Sequence, residues 1–391
     1  MLPDVSTRFL SRIRAEYAQL AQASLLRRHP TIDQRTGVSY RLNGHQVTGF
    51  CSNDYLGYAA EAAPPIAEAV PLGAGAARLI SGNSRELREL ERDLAHLAGA
   101  PDALYFTSGY QANIGCLPAV LQTGDLAYSD HLNHASLIDG LRLSAATIER
   151  LPHLHAPPRT PSPASQTGLT WWVLESTYSM DGDSPRPEDL QRHHHDGADT
   201  YLDEAHSLGR YARGRGWAAH HTLQPTLTIG TLGKACGAVG AFAAGREEVI
   251  DHLRRRARTA IYTTAPSPTL IRLLRRHLPR VAGPDGDRRR AKLRANIQQL
   301  SHELGITTDS PLFPLLIGAN HTALEISAEL LQRGFHVQPI RPPTVPPGTA
   351  RLRLTVTAAH SHQQIASLAK TVRELLAQRA LPLRSAAGHH A

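Results

Sequence analysis

The sequence predicts an α/β protein, with a large domain on a mostly parallel sheet followed by a smaller α/β C-terminal domain. Three observations carry this. Short apolar runs alternate with helix-period patterns through the middle of the chain, as βαβ units do. The runs between 103 and 230 end in small or polar residues, where an open parallel sheet gathers its ligands. The chain is 391 residues long, enough for two domains and a large core.

The elements follow in chain order. Phe9, Ile13, Tyr17 and Leu20 recur at helical spacing, so residues 1–48 read as an N-terminal helical segment. The large domain is expected over 49–285. In "SRELRELERDLAHLAG" (84–99), Leu87, Leu90, Leu94 and Leu97 share one helix face, Ser84 caps the start and Gly99 ends it. Strands are expected at "ALYFTS" (103–108), "WWVLES" (171–176), "TYLDE" (200–204), "TLTIG" (226–230) and "VGAFAA" (239–244). "HAPPRTPSPASQTG" (155–168) reads as a surface loop. "AGPDGDRRR" (282–290) reads as a boundary before a C-terminal domain over 286–382, and 383–391 as a disordered tail.

Composition narrows the function classes. Apolar content is 41% and charged content 19%, as in soluble globular proteins. No run of 18 apolar residues exists, so no membrane span is expected. Asp4, Arg8, Arg12 and Arg14 interrupt the N-terminus, which does not read as a secretory signal. Cys51, Cys116 and Cys236 are too scattered for a disulfide framework or a zinc site, which suits a reducing cytoplasm. The formal charge of +8 admits an acidic partner. No nucleic-acid motif accompanies it, so nucleic acid is not the expected partner. The clustered Arg254, Arg255, Arg256 and Arg258 are either a solvated helix face or a docking patch for an acidic carrier. His193, His194 and His195 are consecutive, read as a solvated cluster, and no metal is expected. "GAGAARLISGN" (73–83) lacks the phosphate-loop lysine and reads as a packing loop, and Cys236 as core.

Four short stretches carry chemistry. In "TIGTLGKACGAVGAF" (228–242), Lys234 stands alone among small apolar residues. It is either a snorkelling lysine or an amine placed to lose its proton. In "YLDEAHSLG" (201–209), Asp203 either caps a turn or is a buried carboxylate facing a cation, with His206 three residues on. "TSGYQAN" (107–113) opens a helix, as an ordinary N-cap or as a phosphate site. "DHLNHAS" (130–136) sets His131 and His134 in a turn, where a lone histidine is usually structural. Together, a desolvated amine, a buried carboxylate, an anion-binding helix start and a ring-stacking histidine are what pyridoxal phosphate requires.

These stretches resemble the α-oxoamine synthases, of the aspartate-aminotransferase-like fold. The likeness runs from "CSNDYLGYA" (51–59) to "TVTAAH" (355–360), through "LISGN", "FTSGYQAN", "DHLNHASLIDG", "YSMDGD", "LDEAHSLG" and "TLGKACG". It implies a fold-type I pyridoxal-phosphate transferase. Lys234 would bond the cofactor, Asp203 would pair with its ring nitrogen, and His134 would stack on the ring, these three being catalytic. Ser179 and His206 would lie near its phenolic oxygen. Gly109, Tyr110 and Thr231 would hold the cofactor, with Thr231 at the phosphate. Arg353 would receive the amino-acid carboxylate. Asn53, His134, Thr355 and Arg27 are the other substrate positions. Thr263 and Thr264 would reach a neighbouring subunit's phosphate, implying a homodimer with the active site at the interface.

"IRPPTVPPGTARLRLTVTAAH" (340–360) is similar to the family's biotin-synthesis branch. Those enzymes join L-alanine to a pimeloyl thioester carried by an acyl carrier protein or coenzyme A. The alternatives are a sister synthase using glycine or serine with another acyl-CoA, and a non-catalytic partner subunit. Two departures stand out. The N-terminal substrate arginine of some members aligns with Leu26, beside Arg27 and Arg28, and a His-Asn-Asp run common in the family is replaced by "PHLHAP" (152–157).

Overall fold

The computed structural model describes residues 7–27, 29–66, 69–159 and 168–386. Residues 160–167 of the expected loop, Arg28 and the tail beyond 386 lie outside the described residues.

The chain opens with a helix, Thr7–Gln22, that buries none of its side chains. Three antiparallel strands follow: β1 (Ile32–Thr36), β2 (Ser39–Leu42) and β3 (His45–Gly49). Among the described residues of this segment a helix is followed by a sheet, so it is not helical throughout. The alternation Tyr40-in, Arg41-out, Leu42-in of β2 is a strand period that the helical reading passed over.

The central sheet has seven strands. They are β4 (Asp102–Phe106), β5 (Leu126–Asp130), β6 (Thr147–Leu151), β7 (Thr170–Glu175), β8 (Asp199–Asp203), β9 (Leu227–Thr231) and β10 (Ala241–Gly245). Their order is β4-β10-β9-β8-β7-β5-β6. Neighbours from β9 to β6 pair in parallel; β10 runs antiparallel to both β9 and β4. β4 thus points the same way as β9, and the carboxyl ends of six strands face one edge.

Each face of the sheet has its own core. Along β7, Trp171 and Val173 enter one apolar cluster while Trp172 and Leu174 enter the other. This two-residue alternation is the strand pleat expressed as burial. The helix Arg85–Ala98 forms as expected: Ser84 Oγ accepts from the Leu87 amide at 3.1 Å, and Gly99 ends it at φ 75°. Its four leucines are fully or almost fully buried, each contributing about 1.5–3 kcal/mol of transfer free energy.

The stretch 282–290 is not an irregular boundary. Helices Pro268–Ala282 and Pro284–Leu304 meet with only Gly283 between them. Pro284 at the helix start, with Asp285 and Asp287 in its first turn, are helix-initiating signals. Beyond lie β11 (Leu312–Gly318), β12 (Phe335–His336), β13 (Gln338–Ile340) and β14 (Ala350–Thr355). β11, β14 and β13 make an antiparallel sheet, while β12 joins β3 in parallel. The start of the expected tail is ordered: the Leu316 amide donates to Arg384 and the Ala386 amide to Pro314. Of the three histidines, His193 is buried rather than solvated, with Nε2 3.1 Å from the Asp199 carbonyl oxygen. Cys236 sits in the core as expected.

Candidate active site

The loops that leave β4, β5, β7, β8 and β9 close around a cavity of about 430 Å³. Lys234 lies in it, three residues beyond the end of β9; desolvation of its amine lowers its pKa from 10.5 to about 8 against the opposing charges of Asp203 and Glu175. The chain has three lysines, and the other two lie outside the cavity: Lys292 on a helix, and Lys370 exposed beside Glu374.

Asp203 ends β8 and is 5% exposed. Its Oδ1 accepts from the Ala205 amide at 2.8 Å, and its Oδ2 from Asn113 Nδ2 at 2.8 Å. Asn113 also donates to Ser136 Oγ and accepts from the Tyr201 hydroxyl. Ser136 in turn holds the His134 ring, its backbone N–H donating to Nδ1 at 3.2 Å. One asparagine therefore fixes the carboxylate and, through Ser136, the imidazole. Burial keeps His134 neutral, lowering its pKa against the pull of Asp203.

Glu175 ends β7, opposite Asp203 in the register of the two parallel strands. Burial, with the Asp203 charge added, pushes its pKa up to about 8. Glu175 Oε1 accepts from the His134 backbone amide at 2.6 Å. His206 is held by Tyr55, whose hydroxyl lies 2.6 Å from Nδ1, and burial with nearby cations holds its pKa well below 6.5. A donating Tyr55 leaves the Nε2 proton free to donate into the cavity.

The opposite wall begins at the helix Gly109–Val120. Ser108 caps it, accepting from the Gln111 amide at 3.2 Å. A Cβ at Gly109 would come within 2.7 Å of Thr231 Cγ2, so glycine lets the helix start close on β9. Thr231 Oγ1 is buried without a hydrogen-bond partner. An oxyanion at the helix start would supply that partner. The amine, the carboxylate, the neutral histidine and this orphaned hydroxyl fit pyridoxal phosphate.

The cavity therefore unites Asn53, Gly109, Tyr110, His134, Asp203, His206, Thr231 and Lys234. Tyr110 is 43% exposed, and its hydroxyl donates to Asp139. The other expected positions are outside the lining. Arg353 is 6% exposed and meets only neutral oxygens: the Ser179 carbonyl at 2.6 Å, Asn53 Oδ1 at 3.1 Å and Thr355 Oγ1 at 3.4 Å. Ser179 thus meets Arg353 through its backbone, and Thr355 is fully buried beneath it. Thr264 bridges to Ala77, and Thr263 is its half-buried neighbour. Arg27 donates to Thr344 Oγ1 at 2.8 Å. The arginine patch is smaller than its sequence suggests, since Arg254 is clamped bidentately on Asp102 at 2.6 and 2.9 Å.

Sequence reasoning assigned no role to Asn113, Glu175 or Tyr55. Glu175 shared the signal that exposed Asp203, a carboxylate closing an apolar strand run. Asn113 stands one helical turn beyond Gly109, inside a stretch already singled out.

Comparison with known proteins gives a consistent picture. The class I and II aminotransferase family model matches residues 45–372. The 8-amino-7-oxononanoate synthase of Herminiimonas arsenicoxydans is 42% identical over 369 residues, 89% of this chain and 95% of that protein. That of Methylococcus capsulatus is 42% identical over 360 residues, 87% and 92% of the two chains. Among solved structures, a serine palmitoyltransferase of Sphingomonas wittichii has a TM-score of 0.82 at 24% identity, covering 97% of this chain and all of that one. An 8-amino-7-oxononanoate synthase of Francisella tularensis has a TM-score of 0.70 at 23% identity, covering 86% and 99%.

Proposed function

The chain belongs to the class I and II aminotransferases, among the 8-amino-7-oxononanoate synthases, and we propose that it condenses L-alanine with a pimeloyl thioester, releasing carbon dioxide. It is a pyridoxal-phosphate-dependent acyltransferase of biotin biosynthesis. The observation that carries the substrate reading is the desolvated Lys234 amine beside Asp203, with the uncompensated Arg353 guanidinium behind Asn53.

Lys234 would hold the cofactor covalently, Asp203 would pair with its ring nitrogen, and His134 would stack on its ring. His206 would donate to its phenolic oxygen, with Ser179 nearby. Gly109, Tyr110 and Thr231 would line its seat, Thr231 at the phosphate. Bound pyridoxal phosphate supplies an electron sink for charge developing at the alanine Cα. The protein's own groups do the rest. Lys234, with its pKa drawn to about 8, takes and returns the Cα proton near neutral pH. Arg353 has no carboxylate partner among the described residues and offers a planar fork to the alanine carboxylate. Asn53, which touches both Arg353 and the cavity, orients that end of the substrate. Thr355 and Arg27 are proposed on the acyl side.

The thioester carrier is an acyl carrier protein or coenzyme A. Thr263 and Thr264 lie outside this chain's cavity, which favours a homodimer in which they serve the partner's phosphate. The site is proposed to work in the cytoplasm. The test is product identification by mass spectrometry, offering L-alanine, glycine or L-serine with pimeloyl-CoA and with pimeloyl-acyl carrier protein. 8-Amino-7-oxononanoate from alanine alone supports the reading. Faster condensation with glycine or serine would replace it with a sister synthase.

A further inference from the structure

The "PHLHAP" turn holds His153 between two carboxylates. Its Nδ1 lies 3.1 Å from both Oδ1 and Oδ2 of Asp130, and its Nε2 lies 3.1 Å from Asp183 Oδ2. The imidazole side chain is 2% exposed, that of Asp130 3% and that of Asp183 17%. A neutral imidazole has one N–H, so one of these carboxylates would face a lone pair. Both contacts are satisfied only when both ring nitrogens carry protons. Among the described residues, Asp130 and Asp183 face the ring at its nitrogens, Tyr178 edge-on at 4.5 Å and His131 edge-on at 6.1 Å. Burial opposes the charge, but the two carboxylates prevail and raise the pKa from 6.5 to about 10.

The two carboxylates come from different segments, the end of β5 and the loop after β7. Asp130 ends β5 and accepts from the Leu132 amide at 2.8 Å and the Leu154 amide at 2.7 Å. Leu154 sits at φ 59°, a left-handed conformation unusual for leucine, so the turn is held in place by that bond. From Asp130 the chain runs through Asn133, which donates to the Val173 carbonyl, to His134. Asp183 closes a loop over 178–183, its carbonyl accepting from the Tyr178 amide at 2.9 Å. That loop presents the Ser179 carbonyl that anchors Arg353 Nε.

We propose that His153 is a positioning residue: an imidazolium that ties the turn carrying His134 to the loop that anchors Arg353. It touches neither cofactor nor substrate. It sets the distance between the ring-facing histidine and the carboxylate-binding arginine, so it tunes how alanine is held. This rests on the proposed role of Arg353 in alanine binding, and one arm of the test is independent of the reaction.

That arm is proton NMR of the wild-type protein labelled with ¹⁵N-histidine. One histidine should show two slowly exchanging ring N–H signals at pH 8, and both should vanish in His153→Gln. A His153 ring that titrates near 6.5 would overturn the clamp whatever the reaction proves to be. The second arm is kinetic, with His153→Gln and with Asp183→Asn, which loosens a single tether. Both should raise KM for L-alanine about tenfold while KM for the thioester moves less than about twofold, since small misplacement of a binding group is costly. Equal shifts in both KM values, or none in the folded variants, would overturn the positioning role even if the NMR signature holds.

Discussion

The floor of the cavity and the junction around Arg353 are built in opposite ways. The floor comes from strand ends: Glu175 closes β7, Asp203 closes β8, Thr231 closes β9, and Lys234 follows within one turn. The junction joins Arg353, in the middle of β14, to Asn53, 300 residues earlier in the chain. Their electrostatics differ too. The floor places an amine beside two carboxylates away from water, and that desolvation moves the Lys234 and Glu175 pKa values toward neutrality against their mutual attraction. The junction holds a permanent cation among neutral oxygens. The first arrangement suits proton movement; the second suits recognition of a carboxylate. Changes to the floor should therefore strike turnover, and changes to the junction substrate affinity.

The largest effect should follow Lys234→Ala. Turnover should fall by roughly three orders of magnitude or more, because nucleophile and proton acceptor are lost together. Circular dichroism and gel filtration should remain those of the wild type. Near-normal turnover would erase the distinction between the two regions.

Asp203→Asn comes next. The Ala205 amide can still donate to the remaining side-chain oxygen, while the new NH2 loses the hydrogen bond from Asn113, a cost of about 1–3 kcal/mol that the fold should survive. A neutral amide cannot keep the ring nitrogen protonated, and exchange of the alanine Cα proton with deuterated solvent should slow by roughly a hundredfold. Exchange at the wild-type rate would remove Asp203 from the chemistry.

Arg353→Ala should separate the regions most cleanly. KM for L-alanine should rise by roughly ten- to a hundredfold, with KM for the thioester changing far less, because a bidentate charge-assisted contact is lost. Arg353→Lys should not restore it, since an ammonium lacks the fork. Equal losses for both substrates would make Arg353 a structural residue.

How much of this was legible in the sequence follows the same division. Asp203, Lys234 and Thr231 follow apolar strand runs directly, so their placement at the sheet edge could be argued from pattern alone. Glu175 closes the run "WWVLES" in the same manner but takes no role from the sequence, because the pattern does not say that it stands opposite Asp203 in the strand pair. Arg353 became a site residue only through family resemblance, since nothing local in "RLRLT" distinguishes it from Arg351, which pairs with Asp181. Arg254 was misjudged for a related reason: its partner Asp102 lies 152 residues away. β5 and β6 went unnamed because "LAYSD" and "TIERL" mix polar residues into short runs. The 282–290 stretch looked like a break because proline and glycine begin a helix as readily as they end one.

Smaller effects sharpen the picture through pH. In cofactor-free protein, the neutral fraction of Lys234 grows as pH rises toward its pKa of about 8 and levels above it. The rate of covalent capture of added pyridoxal phosphate should follow that curve. Acceleration continuing to pH 10.5 would mean an ordinary exposed lysine. His153 gives the opposite sign. Its pKa rises on folding, so its contribution is complete below about 6.5 and fades as pH climbs through about 10. The melting temperature of the wild type should exceed that of His153→Gln by on the order of 2 °C at pH 6, with the gap closing toward pH 10. A gap that widened with pH would contradict a charged clamp.

The most direct test of the floor is where the cofactor is bonded. The purified protein, loaded with pyridoxal phosphate, is reduced with borohydride, digested and mapped by mass spectrometry. The reduced pyridoxyl phosphate mass should sit on the peptide containing Lys234 and be absent from Lys292 and Lys370, with loss of the visible colour in step. A cofactor found on Lys292 or Lys370, or none retained after reduction, would contradict the assignment of Lys234 and with it the reading of the strand-end cavity.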